Sequence, residues 1–406
     1  MKKEVVLLAD VGGTNVRFGT YRKGDEDVNF DKKYLVSSFK SFEEAVQKYL
    51  EETGKKPSLC VIGAAGSIDE EKGEVLTSNT PWHVSVSKLK AKFPQLKSVS
   101  LDNDFALQGW AISGLEPHQY RSLFSEEQKT DLTSSKVVVL GLGTGCGTCL
   151  LLKNAENEQM VYTSESGHSS IPHVVFSSIE KNAQRDRVLK ALKKYYKTSQ
   201  FCGKKGNVVE HIISGTGVQN VYYALKDGFI PKPDSRITSY EIEKLAQSGD
   251  KTALRTFDFI FAYLGAHTGS VAATVKADHI FYCGGLLGSS WVQQRLEQSD
   301  DFKVNFARRA GMTNAMKQMK FSVSLYREMA EKGAVVRAKK LLGEYLDKEA
   351  QRRSNRDLIQ SMSAFYLLLE DECPQALPQM KRVIRAVEHF RRISNKNAKQ
   401  HQRGSL

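Results

Sequence analysis

Long apolar runs are missing from this sequence: none approaches the roughly 18 residues a helix needs to cross a bilayer. A signal-peptide cleavage pattern is missing too, since Met1-Lys2-Lys3 leads directly into a short apolar strand. Both absences point to a cytoplasmic chain with no membrane partner. Cysteine is sparse, and Cys60, Cys146, Cys149, Cys202, Cys283 and Cys373 are scattered, several of them in apolar strand-like runs. They are expected to be reduced and buried. Cys146 and Cys149 form a Cys-x-x-Cys, but no second pair or histidine stands at zinc spacing, which argues against a metal or redox site there. The P-loop pattern Gly-x-x-x-x-Gly-Lys-Ser/Thr is absent, so the chain is not a P-loop nucleotidase. No helix-turn-helix pattern stands out, and nucleic acid is not an expected partner.

What the chain does have is positive charge. Its 59 Lys and Arg against 46 Asp and Glu leave +13 at pH 7, which favours anionic ligands. Two blocks concentrate it. The first, Lys181 to Lys205, interleaves Arg185, Arg187, Lys190, Lys193, Lys194 and Lys197 with Val188, Leu189, Leu192, Tyr195 and Tyr196 at helical spacing. The second is C-terminal and runs from Lys381 to Arg403. A solvated helix face is the ordinary reading of such blocks, and a nucleic-acid or membrane surface the rarer one. At 406 residues two domains are expected, and 40% hydrophobic with 26% charged residues is the balance of a globular protein.

The most informative stretch is the first. Val5-Val6-Leu7-Leu8 runs into Asp10-Val11-Gly12-Gly13-Thr14-Asn15 and then an alternating segment through Tyr21, which reads as strand, tight turn, strand. Adjacent glycines carry no Cβ, so the backbone N–H groups of Gly12, Gly13 and Thr14 can come close to a phosphate, with Thr14, Asn15 and Arg17 adding donors. Asp10, at the end of a buried strand, needs a compensating cation, and magnesium held directly or through water would supply one. An ordinary hairpin whose Asp10 accepts turn amides is the plainer alternative. The same logic returns in the second quarter of the chain. Lys136 to Leu142 is a buried strand, Gly143-Thr144-Gly145-Cys146-Gly147 a glycine-rich turn, and Thr148 to Leu152 the returning strand. A strand rather than a helix follows these glycines, so they are not a dinucleotide fingerprint. Between the hairpins, Asp102-Asn103-Asp104 stands at the mouth of a strand, before a helix that starts near Phe105. Phosphorylating a hydroxyl needs a carboxylate to take its proton, and Asp104 suits that role; the alternative is that Asp104 caps the helix.

The run Asp10 to Tyr21, Asn-Asp-Phe at 103–105 and the glycine turn at 141–147 follow one another as the motifs of the bacterial-type glucokinases do, and the chain resembles that family, within the hexokinase and actin-like ATPase superfamily. Three further segments are similar to the family's: Asn79-Thr80-Pro81-Trp82 to Asn-x-x-Trp, Glu165-Ser166-Gly167-His168 to Glu-Gly-Gly-His, and Glu210 to Gly217 to Glu-x-x-x-Ser-Gly-x-Gly. The resemblance implies an α/β, two-domain hexokinase/actin-like (ribonuclease H-like) fold with mixed sheets flanked by helices. It also implies transfer of phosphate from ATP, with Mg2+, to glucose. Asp104 would be the base, and Asn79, Asn103, Asp104, Glu165, His168 and Glu210 would hold the sugar. Gly12, Gly13, Thr14, Asn15, Arg17, Gly143, Thr144, Gly145 and Gly147 would face the phosphates, Gly215 would lie near the nucleotide, and Gly284 and Gly285 would leave room for base and ribose. Asp10 would meet the magnesium. Trp82 would pack beneath the site, and Gly66 and Ser67 would approach the sugar. Asn79 is as well explained as a turn former. Ser166 departs from the family's glycine and would add a Cβ close to the sugar. The zinc motif of the repressor-kinase-ORF sugar kinases is absent after His168.

The resemblance covers about residues 4 to 343, with Pro172 to Asn207 as a family-variable insertion. It implies a small domain of 1–105 plus about 327–343, a large domain of 106–326, and a basic helical extension of 344–406. A homodimer is implied by family alone. In that extension Leu358 to Leu369 and Met380 to Ile393 have helical periodicity, broken by Pro374 and Pro378. Asn395 to Leu406 reads as disordered. The terminal Gly-Ser-Leu lacks the basic residue of a peroxisomal signal, which leaves a peroxisome-related organelle as the weaker alternative to the cytoplasm. Elsewhere a strand is expected over Lys32 to Ser38, helices over Ser41 to Glu52 and Asp250 to Ala272, and another from about Arg327. A kinase for glucosamine or mannose, and a non-catalytic sugar-sensing regulator, are the alternatives to a glucose kinase.

Overall fold

Strand β1 (Val5–Val11) has the composition of a central strand, buried on both faces, and the first sheet grows outward from it. The computed structural model describes residues 4–25, 30–76, 82–124, 132, 136–154, 157–176, 178–198, 207–308, 313–326, 328–372 and 382, without the side chains of 359 and 363–372. Asn79, Cys202, Cys373, Arg327, Met380 and the terminal Asn395 to Leu406 lie outside the described residues. On one side of β1 stand β2 (Asn15–Arg22), antiparallel to it, and β3 (Phe30–Leu35), antiparallel to β2. On the other side stand β4 (Leu59–Ala64) and, after the small sheet β5 (Ser67–Asp69), β6 (Glu74–Leu76) and β7 (His83–Ser85), β8 (Ser98–Asn103), so the order is β3-β2-β1-β4-β8. The chain reaches β4 through helix α1 (Phe42–Thr53), whose N-cap Ser41 accepts from Glu44 N–H. That helix buries Phe42, Ala45, Val46 and Tyr49, and the Tyr49 ring stacks on Phe18 at 5.2 Å. Strand β3 stops at Leu35, short of the Ser38 expected from the sequence. Val36 leaves the ladder to open a 3-10 turn, and its N–H donates to Thr14 O at 2.9 Å, fastening the first glycine turn.

Helices α2 (Val86–Lys92) and α3 (Asp104–Ser113) flank β8, and the second sheet follows. It comprises β9 (Tyr120–Leu123), β10 (Val137–Leu142), β11 (Cys146–Lys153), β12 (Gln159–Ser164), β13 (His279–Cys283) and β14 (Lys320–Ser324), in the order β12-β11-β10-β13-β14-β9. Its strands alternate between two cores. Val138, Leu140, Ile280 and Tyr282 face one, while Val137, Val139, Phe281 and Cys283 face the other, under α3. The first core is covered by α4 (Ile179–Thr198), α5 (Gly215–Asp227), α6 (Ser239–Gln247) and α7 (Lys251–Val275), with α8 (Ser290–Glu297), α9 (Asp300–Ala307) and α10 (Thr313–Lys317) behind. The basic helix α4 is therefore half buried: Val188, Ala191, Leu192 and Tyr196 enter the core, Lys181 pairs with Asp258 and Asp301, and Lys190, Lys193, Lys194 and Lys197 stay outside. Cys60, Cys146, Cys149 and Cys283 are free thiols, all buried.

The chain divides into two compact units, Met1–Lys340 and Leu341–Leu406. Helix α11 (Met329–Glu372) runs without a break past Gly343, where the family resemblance ends. Residues 344–357 are mostly Glu, Lys, Arg, Gln, Ala and Leu, all good helix formers, and no proline occurs between Gly343 and Pro374. Among the described residues no helix is long and apolar enough to cross a membrane.

Candidate active site

Both glycine turns are closed by a backbone hydrogen bond, to the third residue onward in the first and to the second in the other. Gly12 N–H donates to Asn15 O at 3.0 Å and Gly143 N–H to Gly145 O at 3.0 Å, which leaves Gly13, Thr14, Gly143 and Thr144 exposed at the two tips. The first turn is also a charged one. Arg17 Nη1 lies 3.8 Å from Asp10 Oδ2 and 3.7 Å from Glu331 Oε1 of α11. Burial pushes the Asp10 carboxyl up to about 6; Arg17 opposes the rise, and Asp104 and Glu331 add to it.

Asp104 begins α3, but it does not cap it. Asn103 is the cap: its Oδ1 accepts from Phe105 N at 2.8 Å, and its Nδ2 donates to Gly66 O at 2.9 Å. Gly66 holds a φ of +132°, a conformation that favours glycine, which fixes this turn beside Asn103. Asp104 is thereby released from the capping role, although its Oδ1 also lies 2.9 Å from Phe105 N. Burial raises its pKa, two backbone N–H groups hold the rise back, and Glu165 adds to it. The next residue, Phe105, lies against the second hairpin. A Cβ on Gly141 or Gly147 would come within 2.1 or 2.6 Å of its ring, so both glycines have a packing reason beyond any contact with phosphate.

The second cluster is polar. His168 Nδ1 is 3.0 Å from Glu165 Oε2, and His168 Nε2 is 3.4 Å from Glu210 Oε1. Cys146 N–H donates to Glu210 Oε2 at 3.3 Å, which ties this cluster to the second hairpin. Gly167 is required here, because its Cβ would stand 2.2 Å from Cys146 O. Ser166 behaves differently from the expectation that it crowds the sugar. Its hydroxyl turns inward, 2.7 Å from Thr148 Oγ1 and 3.3 Å from Nε2 of buried His267 on α7. Trp82 is likewise a core residue, donating from Nε1 to Phe39 O at 3.1 Å and packing near Phe42.

Around the second hairpin, Gly215 N–H donates to Gly143 O at 2.7 Å, which brings the N-terminus of α5 to the glycine tip; Ser214 caps that helix by accepting from Gly217 N. Gly284 ends β13 at φ +94°, and its Cβ would meet Leu142 O at 2.6 Å, whereas Gly285 faces open space. Two contacts were not legible from motifs because they span over 200 residues: Glu331 with Arg17, and Arg337 with Asp102 at 3.4 Å. Nothing in the local pattern of α11 marks either partner.

Two mixed sheets, each carrying a glycine-turn hairpin, with a half-buried carboxylate where α3 crosses from one to the other, define a sugar kinase of the actin-like class. The sequence comparisons give the family. The family model described as glucokinase matches residues 7–341, and the chain belongs to the glucokinase family. It is 30% identical over 321 residues to a glucokinase of Xylella fastidiosa strain M12, covering 75% of this chain and 88% of that one. A glucokinase structure from an Antarctic psychrotroph superposes with a TM-score of 0.64 at 26% identity, over 82% of this chain and 98% of that one. A ROK family glucokinase from Streptomyces griseus, solved with glucose and AMPPNP, shares the fold at 18% identity and a TM-score of 0.52, over 82% and 98% of the two chains.

Proposed function

We propose that the protein transfers the terminal phosphoryl group of MgATP to the 6-hydroxyl of glucose, giving glucose 6-phosphate and ADP. The observation that carries this is the place of Asp104: a desolvated carboxylate at the start of α3, within the electrostatic field of Asp10 from the first hairpin and Glu165 from the polar cluster. A base in that position meets the hydroxyl proton as the phosphoryl group arrives, and its raised pKa makes it a stronger proton acceptor than an exposed carboxylate. Asn103, Glu165, His168 and Glu210, with Asn79, are the proposed partners of the ring hydroxyls. Amides at the two tips, those of Gly13 and Thr14 on the first and of Thr144 and Gly145 on the second, with Asn15 and Arg17, would receive the phosphates, while the Gly12 and Gly143 N–H groups close the turns; the N-terminus of α5 at Gly215 lies beside the second tip. Gly284 and the open space at Gly285 suit the nucleoside side.

Magnesium comes with the nucleotide as part of the substrate. Asp10 fits it: a carboxylate this desolvated gains from a cation, which would keep it ionised, and a water-bridged contact would place the ion by the first tip. The lobes built on the two sheets are proposed to close over the sugar, excluding the water that would compete for the phosphoryl group. A coupled assay for ADP release with MgATP and a panel of glucose, glucosamine, mannose and fructose tests the reading. Turnover on glucose well above the other sugars is expected. A preference for another hexose would replace the substrate, and glucose binding without turnover on any sugar would overturn the enzyme reading in favour of a sensor.

A further inference from the structure

The basic helix α4 has no part in the phosphoryl-transfer account, yet its buried face ends beneath the polar cluster. The Tyr196 ring lies flat on the imidazole of His211, with centroids 3.5 Å apart and planes within 5°. His211 directly follows Glu210 and closes the single 3-10 turn Val209–His211. The stack is pinned on several sides. Asn220, fully buried on α5, donates from Nδ2 to the Tyr196 hydroxyl and to His211 O, each at 3.0 Å, and its Oδ1 accepts from Arg236 at 2.8 Å. Val208 N–H donates to His211 Nδ1 at 3.3 Å, which fixes the imidazole edge. Burial, reinforced by His168, lowers the His211 pKa to about 4, so the ring is neutral at working pH. On its far side the turn presents Glu210, whose contacts to His168 and to Cys146 N–H, at 3.4 and 3.3 Å, are long enough that a small shift of the turn breaks them.

We propose that Tyr196 is a positioning residue for the sugar site: stacked on His211, it holds the turn that aims Glu210 at His168 and at the sugar hydroxyls. The basic helix then serves sugar affinity from beneath the site, while Lys190, Lys193, Lys194 and Lys197 keep its outer face in water. The inference rests on reading Glu210 and His168 as sugar ligands.

The test compares the wild-type protein with Tyr196→Leu, Tyr196→Phe and His211→Gln, using steady-state kinetics for both substrates, calorimetric glucose binding and thermal melts. A displaced ligand turn should raise the glucose KM and Kd of Tyr196→Leu on the order of tenfold, with the ATP KM changed by less than about twofold. Tyr196→Phe keeps the stack and should stay near wild type. An unchanged glucose KM in folded Tyr196→Leu overturns the proposal, as does an equal loss in Tyr196→Phe or an equal rise in both KM values. Should Tyr196→Leu not fold, His211→Gln is judged by the same split, since glutamine can still accept from Val208 but cannot stack. Wild-type protein that neither binds nor phosphorylates glucose would remove the reading of Glu210 and this inference together; active wild-type protein with an indifferent stack would remove this inference alone.

Discussion

Asp10 is a charge held where charge is expensive. Its pKa of about 6 in the fold, against 3.8 in the open chain, means that the folded protein favours the protonated carboxyl. The sign follows: this group's contribution to stability is fully present below pH 3.8 and is lost as pH rises through 6. Asp10→Asn should therefore be the more stable protein at pH 7.5, by on the order of 1–3 kcal/mol in urea unfolding, and no more stable than wild type near pH 3.5. Equal stability of the two proteins at both pH values would contradict the assigned burial. At this scale the sequence singled out candidate residues but not how neighbours share their contacts. Asn103 and Asp104 are both acceptable N-caps in isolation, and only the observed bond from Phe105 to Asn103 Oδ1 decides between them. Ser166 was legible as a departure, but the direction of its hydroxyl depends on His267, about 100 residues away on another element.

Elements were legible where glycine strings interrupt alternating apolar runs, and both hairpins lie where that pattern puts them. The three-residue strands of the small sheet and the long-range partners of α11 left no such trace, because neither has a period long enough to register. What joins the elements is Phe105, one residue after the proposed base, seated against Gly141 and Gly147 of the second hairpin. Gly147→Ala would put a Cβ 2.6 Å from that ring, and the ring must move or the hairpin must open. The variant should lose about 1–3 kcal/mol of stability, the usual cost of overpacking, and its kcat should fall more than its KM for ATP rises, because Asp104 moves with Phe105. Urea unfolding and steady-state kinetics check both parts; wild-type kcat in a destabilised protein would show that the packing does not position the base.

The two sheets repeat one plan across the molecule. β3-β2-β1-β4-β8 and β12-β11-β10-β13-β14 each place an antiparallel hairpin on one side of a central strand and parallel partners on the other, with the glycine turn at the end of that strand. Under the proposed function, such duplication would make the two turns matched halves of one phosphate site. The whole fold also stores acid sensitivity. His211, His267 and His279 are buried, and burial lowers each from 6.5 to about 4, so their contribution is present above pH 6.5 and lost as pH falls toward 4. Between pH 7 and 5 this amounts to about 2 kcal/mol per histidine, offset in part by Asp10; urea unfolding at the two pH values should show a net loss of stability at pH 5, and a gain there would contradict the buried neutral state. The central claim is that a carboxylate between two phosphate hairpins takes the proton of a sugar hydroxyl, and Asp104→Asn tests it most directly. Measured beside wild type in the coupled ADP assay, with glucose binding followed by calorimetry, the variant should bind glucose with little change and lose on the order of 10²-fold or more in turnover, while the acid limb that this carboxylate gives the wild-type pH profile disappears. Turnover in Asp104→Asn close to that of wild type would show that another group takes the proton.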